Sequence, residues 1–337
     1  MFYPKEFMIK NSIIENCTIE ITNQCNFACL HCDYPKKRKG TFMSLQLLDI
    51  IAHQLLQMGT FRIVISGGEP FEHPDILKIV DKLIGMSFEV KIITNGYYIT
   101  ENQIKELCKY RKLEIVFSLL GTCATHDHIT TVDGSFSAID SKVKKLKNAA
   151  CKVSFQTCVM HNNFDNLKEL NKYVEQIGVP HKLDPFLTNT LKSKHIPAMR
   201  LTDAELKKYY MHFSDFSNIA SRVFSEGKVV RLKSCDCGVA KSTITIEADG
   251  NVLPCGNIRK SVGDVVKTSI EDIWKFSPAL KVLRNRSELD RPECAMCEMN
   301  TLCSRCIAMA ISEHNDWKSP PKECCRHMRC LKEVAKC

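Results

Sequence analysis

Cys25-Asn26-Phe27-Ala28-Cys29-Leu30-His31-Cys32 sets three thiols in eight residues, separated by three and then two positions. The stretch follows the apolar, β-branched run Thr18-Ile19-Glu20-Ile21-Thr22, which predicts a strand ending in a cysteine-bearing loop. Thiolates select soft metals and iron–sulfur clusters. A 4Fe–4S cube takes four ligands and this loop offers three, so the fourth iron is free to hold a small molecule, as catalytic metal sites keep an open position. Half of a zinc site is the alternative for so short a span.

The spacing C-x3-C-x2-C resembles the signature of the radical S-adenosylmethionine (SAM) superfamily. The resemblance implies a cluster on Cys25, Cys29 and Cys32, with the open iron chelated by the amino and carboxylate groups of SAM; His31 would lie beside the adenine. Gly67-Gly68-Glu69-Pro70 resembles the family's GGEP motif, which grips the SAM amino group. Glycines allow close backbone approach to a ligand and a carboxylate accepts from an ammonium, although the same four residues also read as a turn. Thr94-Asn95-Gly96 matches a segment that lines the SAM site in relatives, and Ser118 is implied as a contact to the ribose or carboxylate. Two positions depart from the family: Leu120 stands where many members are acidic, and Thr130 near where some carry Arg. His126-Asp127-His128 reads as a solvated loop or as residues shaping a pocket for acid–base work, with Cys123 just before them as a further candidate.

Strand and helix patterns alternate across the chain. Strands are expected at 17–22, 61–66, 88–94, 113–119, 151–159 and 181–187, and helices at 45–57, 74–84, 101–110, 136–149 and 164–177, the last closed by Gly178. Such alternation predicts an α/β fold of parallel βαβ units, with the site at the strands' C-terminal ends. Six units are too few for an eight-fold barrel and fit the partial (β/α)6 barrel of the radical SAM family. The expected division is a lead-in at 1–16, the barrel at 17–200, a helical connector at 201–230 opened by the capping box Thr202-Asp203-Ala204-Glu205, and a cysteine-rich region at 231–337.

Eleven of the nineteen cysteines lie in that last region. Cys237, Gly250 and Cys255 form C-x12-G-x4-C, around a β-hairpin expected to turn at Asp249-Gly250-Asn251. Cys294-x2-Cys297-x5-Cys303-x2-Cys306 and Cys324-Cys325 follow. This arrangement resembles the SPASM domain, a twin-cluster extension of radical SAM enzymes. By that resemblance an outer auxiliary cluster uses Cys294, Cys297, Cys303 and one of Cys324 or Cys325, and an inner one uses Cys255, Cys306 and Cys237 with Cys235. A zinc ribbon is the rival, though its pairs are usually more widely spaced. Gly263–Trp274 resembles the SPASM linker, with Trp274 a core residue. Cys17, Cys108, Cys123, Cys151 and Cys158 lack ligand spacing and read as small hydrophobes; Cys330 and Cys337 have no obvious slot.

Close cysteine spacings in an enzyme-sized chain argue for clusters over disulfides and for a reducing, cytoplasmic setting. No signal pattern or membrane span is evident. The formal charge of +9 overstates the basic balance, because cluster thiolates are negative. The remainder fits an acidic partner such as a peptide leader, with nucleic acid not expected; Lys36-Lys37-Arg38-Lys39 is either a solvated loop or a docking patch.

What the resemblance implies is an oxidoreductase that cleaves SAM reductively to a 5′-deoxyadenosyl radical, fed by a flavodoxin or ferredoxin-type reductant. SPASM relatives mostly modify peptides. The expected reaction is therefore maturation of a ribosomal precursor peptide by a thioether or C–C cross-link or by backbone excision, aided by a separate leader-binding protein or by the barrel itself. Sulfatase-maturing and tetrapyrrole or quinone-cofactor types are the alternatives, with Gly256 standing where the sulfatase-maturing group has Asp. A non-catalytic iron–sulfur electron carrier is the alternative of another class.

Overall fold

The computed structural model describes residues 13–34, 40–215, 220, 237–287 and 290–335. Six parallel strands lie side by side in chain order: β1 (Asn16–Thr22), β2 (Arg62–Gly67), β3 (Glu89–Thr94), β4 (Leu113–Ser118), β5 (Lys152–Cys158) and β6 (His181–Asp184). Between them run α1 (Leu45–Gln57), α2 (Ile76–Gly85), α3 (Glu101–Leu107), α4 (Cys123–Thr130), α5 (Ser135–Asn148), α6 (His161–Phe164) and α7 (Leu167–Ile177). The expected six-stranded parallel α/β core is therefore present. Its register aligns a buried row of β-branched side chains, Ile19 beside Ile65, Ile65 beside Ile92, and Ile92 beside Ile115. Short β-branched strands buried on both faces are what a helix-covered parallel sheet requires.

The helices form for local reasons. In α1, Leu48, Ile51, Ala52 and Leu55 recur at helical spacing and are buried, and the Ser44 side chain caps its start by accepting from the Leu47 N–H. Gly178 ends α7 in the left-handed conformation, as its position predicts. α8 (Ile196–Met199) is followed by α9 (Asp203–His212), which opens with the expected reciprocal box: Thr202 Oγ1 accepts from the Glu205 N–H, and Glu205 accepts from the Thr202 N–H.

Three features differ from expectation. The helix expected over 164–177 is two, α6 and α7, because Asn166 turns its amide towards Thr122 and interrupts the run. The segment holding His126-Asp127-His128 is the helix α4, not a solvated loop. Cys108 and Cys151 are joined in a disulfide with Cα atoms 5.1 Å apart, so they are not isolated hydrophobes. They lie 43 positions apart in sequence, Cys108 directly after α3 and Cys151 directly before β5.

The cysteine-rich region does not stand off as a separate sheet. β7 (Thr243–Ile246) pairs in parallel with β1, Ile246 beside Ile19, and β8 (Asn251–Leu253) and β9 (Gly263–Asp264) add antiparallel strands. Among the described residues the result is one nine-stranded sheet. The hairpin turns where expected, with Gly250 at φ 94° and Asp249 Oδ1 accepting from the Asn251 N–H. Beyond it lie α10 (Ile270–Phe276), α11 (Pro278–Arg284), α12 (Pro292–Ala295), α13 (Ile307–His314) and α14 (Lys322–Ala335). Trp274 is fully buried, with the Arg284 guanidinium 4.4 Å from its ring centre. Residues 1–12, Lys36–Lys39, most of 216–230, Cys235 and Cys337 fall outside the described residues. Among the described residues, no helix is long and apolar enough to cross a membrane.

Candidate active site

The loop carrying Cys25, Cys29 and Cys32 leaves β1 and runs over the C-terminal end of β2. The Gly68 N–H donates to Thr22 O at 2.8 Å and the Glu69 N–H to Gln24 O at 2.8 Å. A Cβ on Gly67 would lie 2.2 Å from Thr22 O, and one on Gly68 2.0 Å from Gln24 O. The two glycines are therefore needed first for contact with the cysteine loop itself. All three thiols are half-buried, and the Cys32 N–H donates to Cys29 O at 3.2 Å.

Glu69 is buried and ties two strand ends together. Its Oε1 accepts from the Phe71 N–H at 3.0 Å and the Thr94 hydroxyl at 2.6 Å, and its Oε2 from the Asn95 N–H at 2.7 Å. Burial pushes its carboxyl up to about 7 against the pull of these donors. Asn95 Nδ2 in turn donates to Asn26 Oδ1 at 2.8 Å, reaching into the cysteine loop. Ser118 ends β4 half-buried, opposite Gln156 of β5.

α4 is pinned to the same loop, since the Leu30 N–H donates to Ile129 O at 2.9 Å. On α4, His126 is fully buried and its Nδ1 accepts from the Leu120 N–H at 3.0 Å. That acceptor role puts the ring proton on Nε2, which is buried and has no hydrogen-bond partner among the described residues. Burial, with a smaller contribution from His31 and against the pull of Asp127, lowers the imidazole to about 4, so the ring is neutral. Asp127 accepts from the Gly134 and Phe136 N–H groups and the Ser135 hydroxyl, at 2.7–2.8 Å. Burial raises its carboxyl, but those donors outweigh it and leave the group below its ordinary value. Its carboxylate is thus committed to starting α5, and the family departure at Thr130 belongs to the same knot, the Thr130 hydroxyl lying 2.8 Å from Ser135 Oγ. Cys123 is exposed at the start of α4.

The described cysteines of the C-terminal region named above fall into two groups. Burial, with Cys237 and Cys255 adding to it, pushes Cys306 up to about 11; Cys237 likewise bears on Cys255. A cavity of about 400 Å³ is walled by Cys294, Cys297, Cys303, Cys324 and Cys325. Among the described residues, no three Cys, His, Asp or Glu side chains are gathered tightly enough to hold a single metal ion.

One cluster of site residues was not anticipated. Arg259, four residues past Cys255, bonds Glu20 of β1 with three contacts of 2.9–3.1 Å. The Tyr34 hydroxyl, just past Cys32, donates to Glu20 Oε2 at 3.1 Å, and the guanidinium lies 4.6 Å from the Tyr34 ring centre. The signal was a carboxylate set among β-branched residues in Thr18-Ile19-Glu20-Ile21-Thr22. This group joins the first cysteine loop to the loop of Cys255.

Comparison with known proteins agrees with this layout. Residues 19–174 match the Radical SAM superfamily, and residues 235–306 match SPASM, an iron–sulfur cluster-binding domain. The chain is 24% identical to an AdoMet-dependent heme synthase of Oleidesulfovibrio alaskensis, covering 87% of this chain and 82% of the relative. It is 23% identical to the subtilosin biosynthesis protein AlbA of Bacillus subtilis, covering 89% and 68%. In fold it resembles Streptococcus suis SuiB bound to precursor peptide SuiA, with a TM-score of 0.77 at 16% identity over 95% of this chain and 78% of that one. The chain therefore carries a Radical SAM domain followed by a SPASM iron–sulfur domain, and is an enzyme of iron–sulfur clusters and S-adenosylmethionine.

Proposed function

We propose that Cys25, Cys29 and Cys32 hold a 4Fe–4S cluster with one open iron against which SAM binds, and that the enzyme oxidatively modifies a ribosomally made precursor peptide by a thioether or C–C cross-link or by backbone excision. The donor set fits the cofactor: three half-buried thiols share one loop, backed by the Glu69–Asn95–Asn26 chain of hydrogen bonds. A cube spreads its thiolates over different irons and needs no grouping around one ion. When bound, the cluster and SAM supply one-electron cleavage and hydrogen abstraction. Gly67 and Gly68 let the cysteine loop sit close, Glu69 and Asn95 fix the SAM-facing turn, and His31 and Ser118 line the nucleoside. Cys237, Cys255 and Cys306 with Cys235 serve an inner auxiliary cluster, and Cys294, Cys297 and Cys303 an outer one.

The observation that carries the peptide reading is the open side of the sheet. Among the described residues β6 pairs only with β5. Beside it lies a cavity of about 800 Å³ whose wall runs from His181–Phe186 to Leu302 and Ser304, the neighbours of Cys303. A strand edge not paired to another strand offers main-chain hydrogen bonds to an extended peptide, and this cavity leads towards Cys303. Likeness to AlbA and to the SuiB fold supports the same reading.

The heme synthase relatives favour a second reading, a tetrapyrrole substrate. On the cavity wall Glu175 and Asp215 stand beside Lys182, which is paired with Asp184 at 3.5 Å, so the wall is net acidic and counts against a ligand that bears carboxylates. Mass spectrometry decides: the enzyme is co-expressed with a small peptide encoded beside its gene, and separately incubated with an iron porphyrin precursor. Loss of hydrogen mass or of a backbone segment from the peptide is expected; decarboxylation of the porphyrin with an unaltered peptide overturns the proposal.

A further inference from the structure

We propose that Arg291 is the counter-charge of the outer auxiliary cluster and sets that cluster's reduction potential. This rests on the reading of Cys294, Cys297 and Cys303 as cluster ligands given above. Arg291 stands just before α12, three residues ahead of Cys294, and is 8% exposed. A guanidinium keeps its charge in any protein, and burying that charge is costly unless an anion faces it. Among the described residues no carboxylate pairs with Arg291. Asp290, next to it in the chain, accepts from the Ser287 N–H at 2.8 Å and lies 3.8 Å from Lys318. Glu298 is paired with Lys332, and Glu293 is exposed. The Trp317 ring centre is 6.0 Å away, at the limit of a cation–π contact.

The guanidinium instead reaches the other half of the cysteine set. Its Nη1 donates to Arg305 O at 3.2 Å, and the Arg305 N–H donates to Cys303 Sγ at 3.4 Å. Arg305 sits between Cys303 and Cys306 with its backbone in the left-handed region, at φ 48°. One buried cation therefore spans from the Cys294 turn to the Cys303–Cys306 turn. Arg329 and Lys332 also line the cavity of these thiols, but each has a carboxylate partner of its own, Asp203 and Glu298. A cube held by thiolates is negative, and more so once reduced, so it supplies the anion that Arg291 otherwise lacks. A fixed cation beside it favours the reduced form and raises the potential.

The test is a dithionite titration of anaerobically reconstituted full-length enzyme, followed by electron paramagnetic resonance. The outer cluster's signal is identified as the one missing from Cys297→Ala. Arg291→Gln keeps an N–H for Arg305 O without the charge, and Arg291→Lys keeps the charge. Wild type and both variants are expected to hold about twelve irons, as three cubes require. In Arg291→Gln the reduction equilibrium of the outer cluster should fall about tenfold, or about 59 mV for a one-electron couple, as loss of a nearby unit charge in a poorly screened site implies. Arg291→Lys should stay near wild type. The first cluster's potential and its SAM-induced signal change should be the same in all three. Loss of the outer irons from Arg291→Gln and Arg291→Met, with retention in Arg291→Lys, assigns the charge the same role. An unshifted potential in Arg291→Gln, an equal shift in Arg291→Lys, or loss of outer iron from Arg291→Lys as well overturns the proposal. A wild type holding one cube overturns instead the cluster reading of the whole region, which separates the two failures.

Discussion

Arg259→Met tests how the SPASM loop is held to the barrel. The guanidinium and Glu20 side chains are 12% and 6% exposed, so water screens their contact weakly. Burial lifts the Glu20 carboxyl from 4.5 to about 7, against the pull of Arg259. That lift corresponds to about 3 kcal/mol disfavouring the ionised form. Removing one partner of a buried pair leaves the other uncompensated, at about 3–5 kcal/mol where Glu20 is ionised. Because the folded value lies above the unfolded one, stability linked to Glu20 is full below the unfolded value and is lost as pH rises through about 7. Arg259→Met raises the folded value further, so its cost relative to wild type should grow between about pH 6 and about pH 8.5. Anaerobic urea unfolding at both pH values measures this. Equal losses at the two would refute the argument that Glu20 is a buried carboxylate neutralised by Arg259.

Four shorter predictions follow from the same contacts. Gly68→Ala forces a Cβ to within 2.0 Å of Gln24 O, which is backbone and cannot swing away, so about 2–4 kcal/mol of stability and the SAM-dependent spectral change should both be lost; a variant as stable as wild type would mean that the cysteine loop is not seated on this turn. Asp127→Ala removes three hydrogen bonds at the start of α5 and should cost about 1–3 kcal/mol in urea unfolding while sparing 5′-deoxyadenosine formation; abolished SAM cleavage in a folded variant would make Asp127 catalytic instead. Cys29→Ala should abolish 5′-deoxyadenosine, whereas Cys297→Ala should retain part of it and stop peptide modification; product formation by either variant contradicts the roles given. Cys151→Ala should lower stability by about 2–4 kcal/mol without reductant and be indistinguishable from wild type with it, since the bridge closes a loop across 43 positions.

The sheet was legible because its strands are short, β-branched and separated by amphipathic helices, and the hairpin because Asp249-Gly250-Asn251 can hardly do anything else. The Cys25–Cys32 segment was legible as a loop because it follows the β-branched run at 18–22, while its cluster reading came from the family resemblance. What escaped depends on contacts between distant segments. Nothing local says that Thr243–Ile246 will pair with β1, because any short β-branched strand fits either sheet edge. The Cys108–Cys151 bridge and the Glu20–Arg259 pair are likewise tertiary, 43 and 239 positions apart. α4 was missed because Thr125-His126-Asp127-His128 is polar, while its helix is held by His126 bonding to Leu120 and Asp127 bonding to the start of α5. Burial of His126 and the three hydrogen bonds to Asp127 inverted the expected availability of these two groups.

The central claim is a cluster with a vacant iron that takes SAM. Anaerobically reconstituted, dithionite-reduced protein should show a paramagnetic iron signal that changes when SAM is added, with 5′-deoxyadenosine and methionine released. A signal indifferent to SAM, or a protein whose bound metal is zinc throughout, would contradict it.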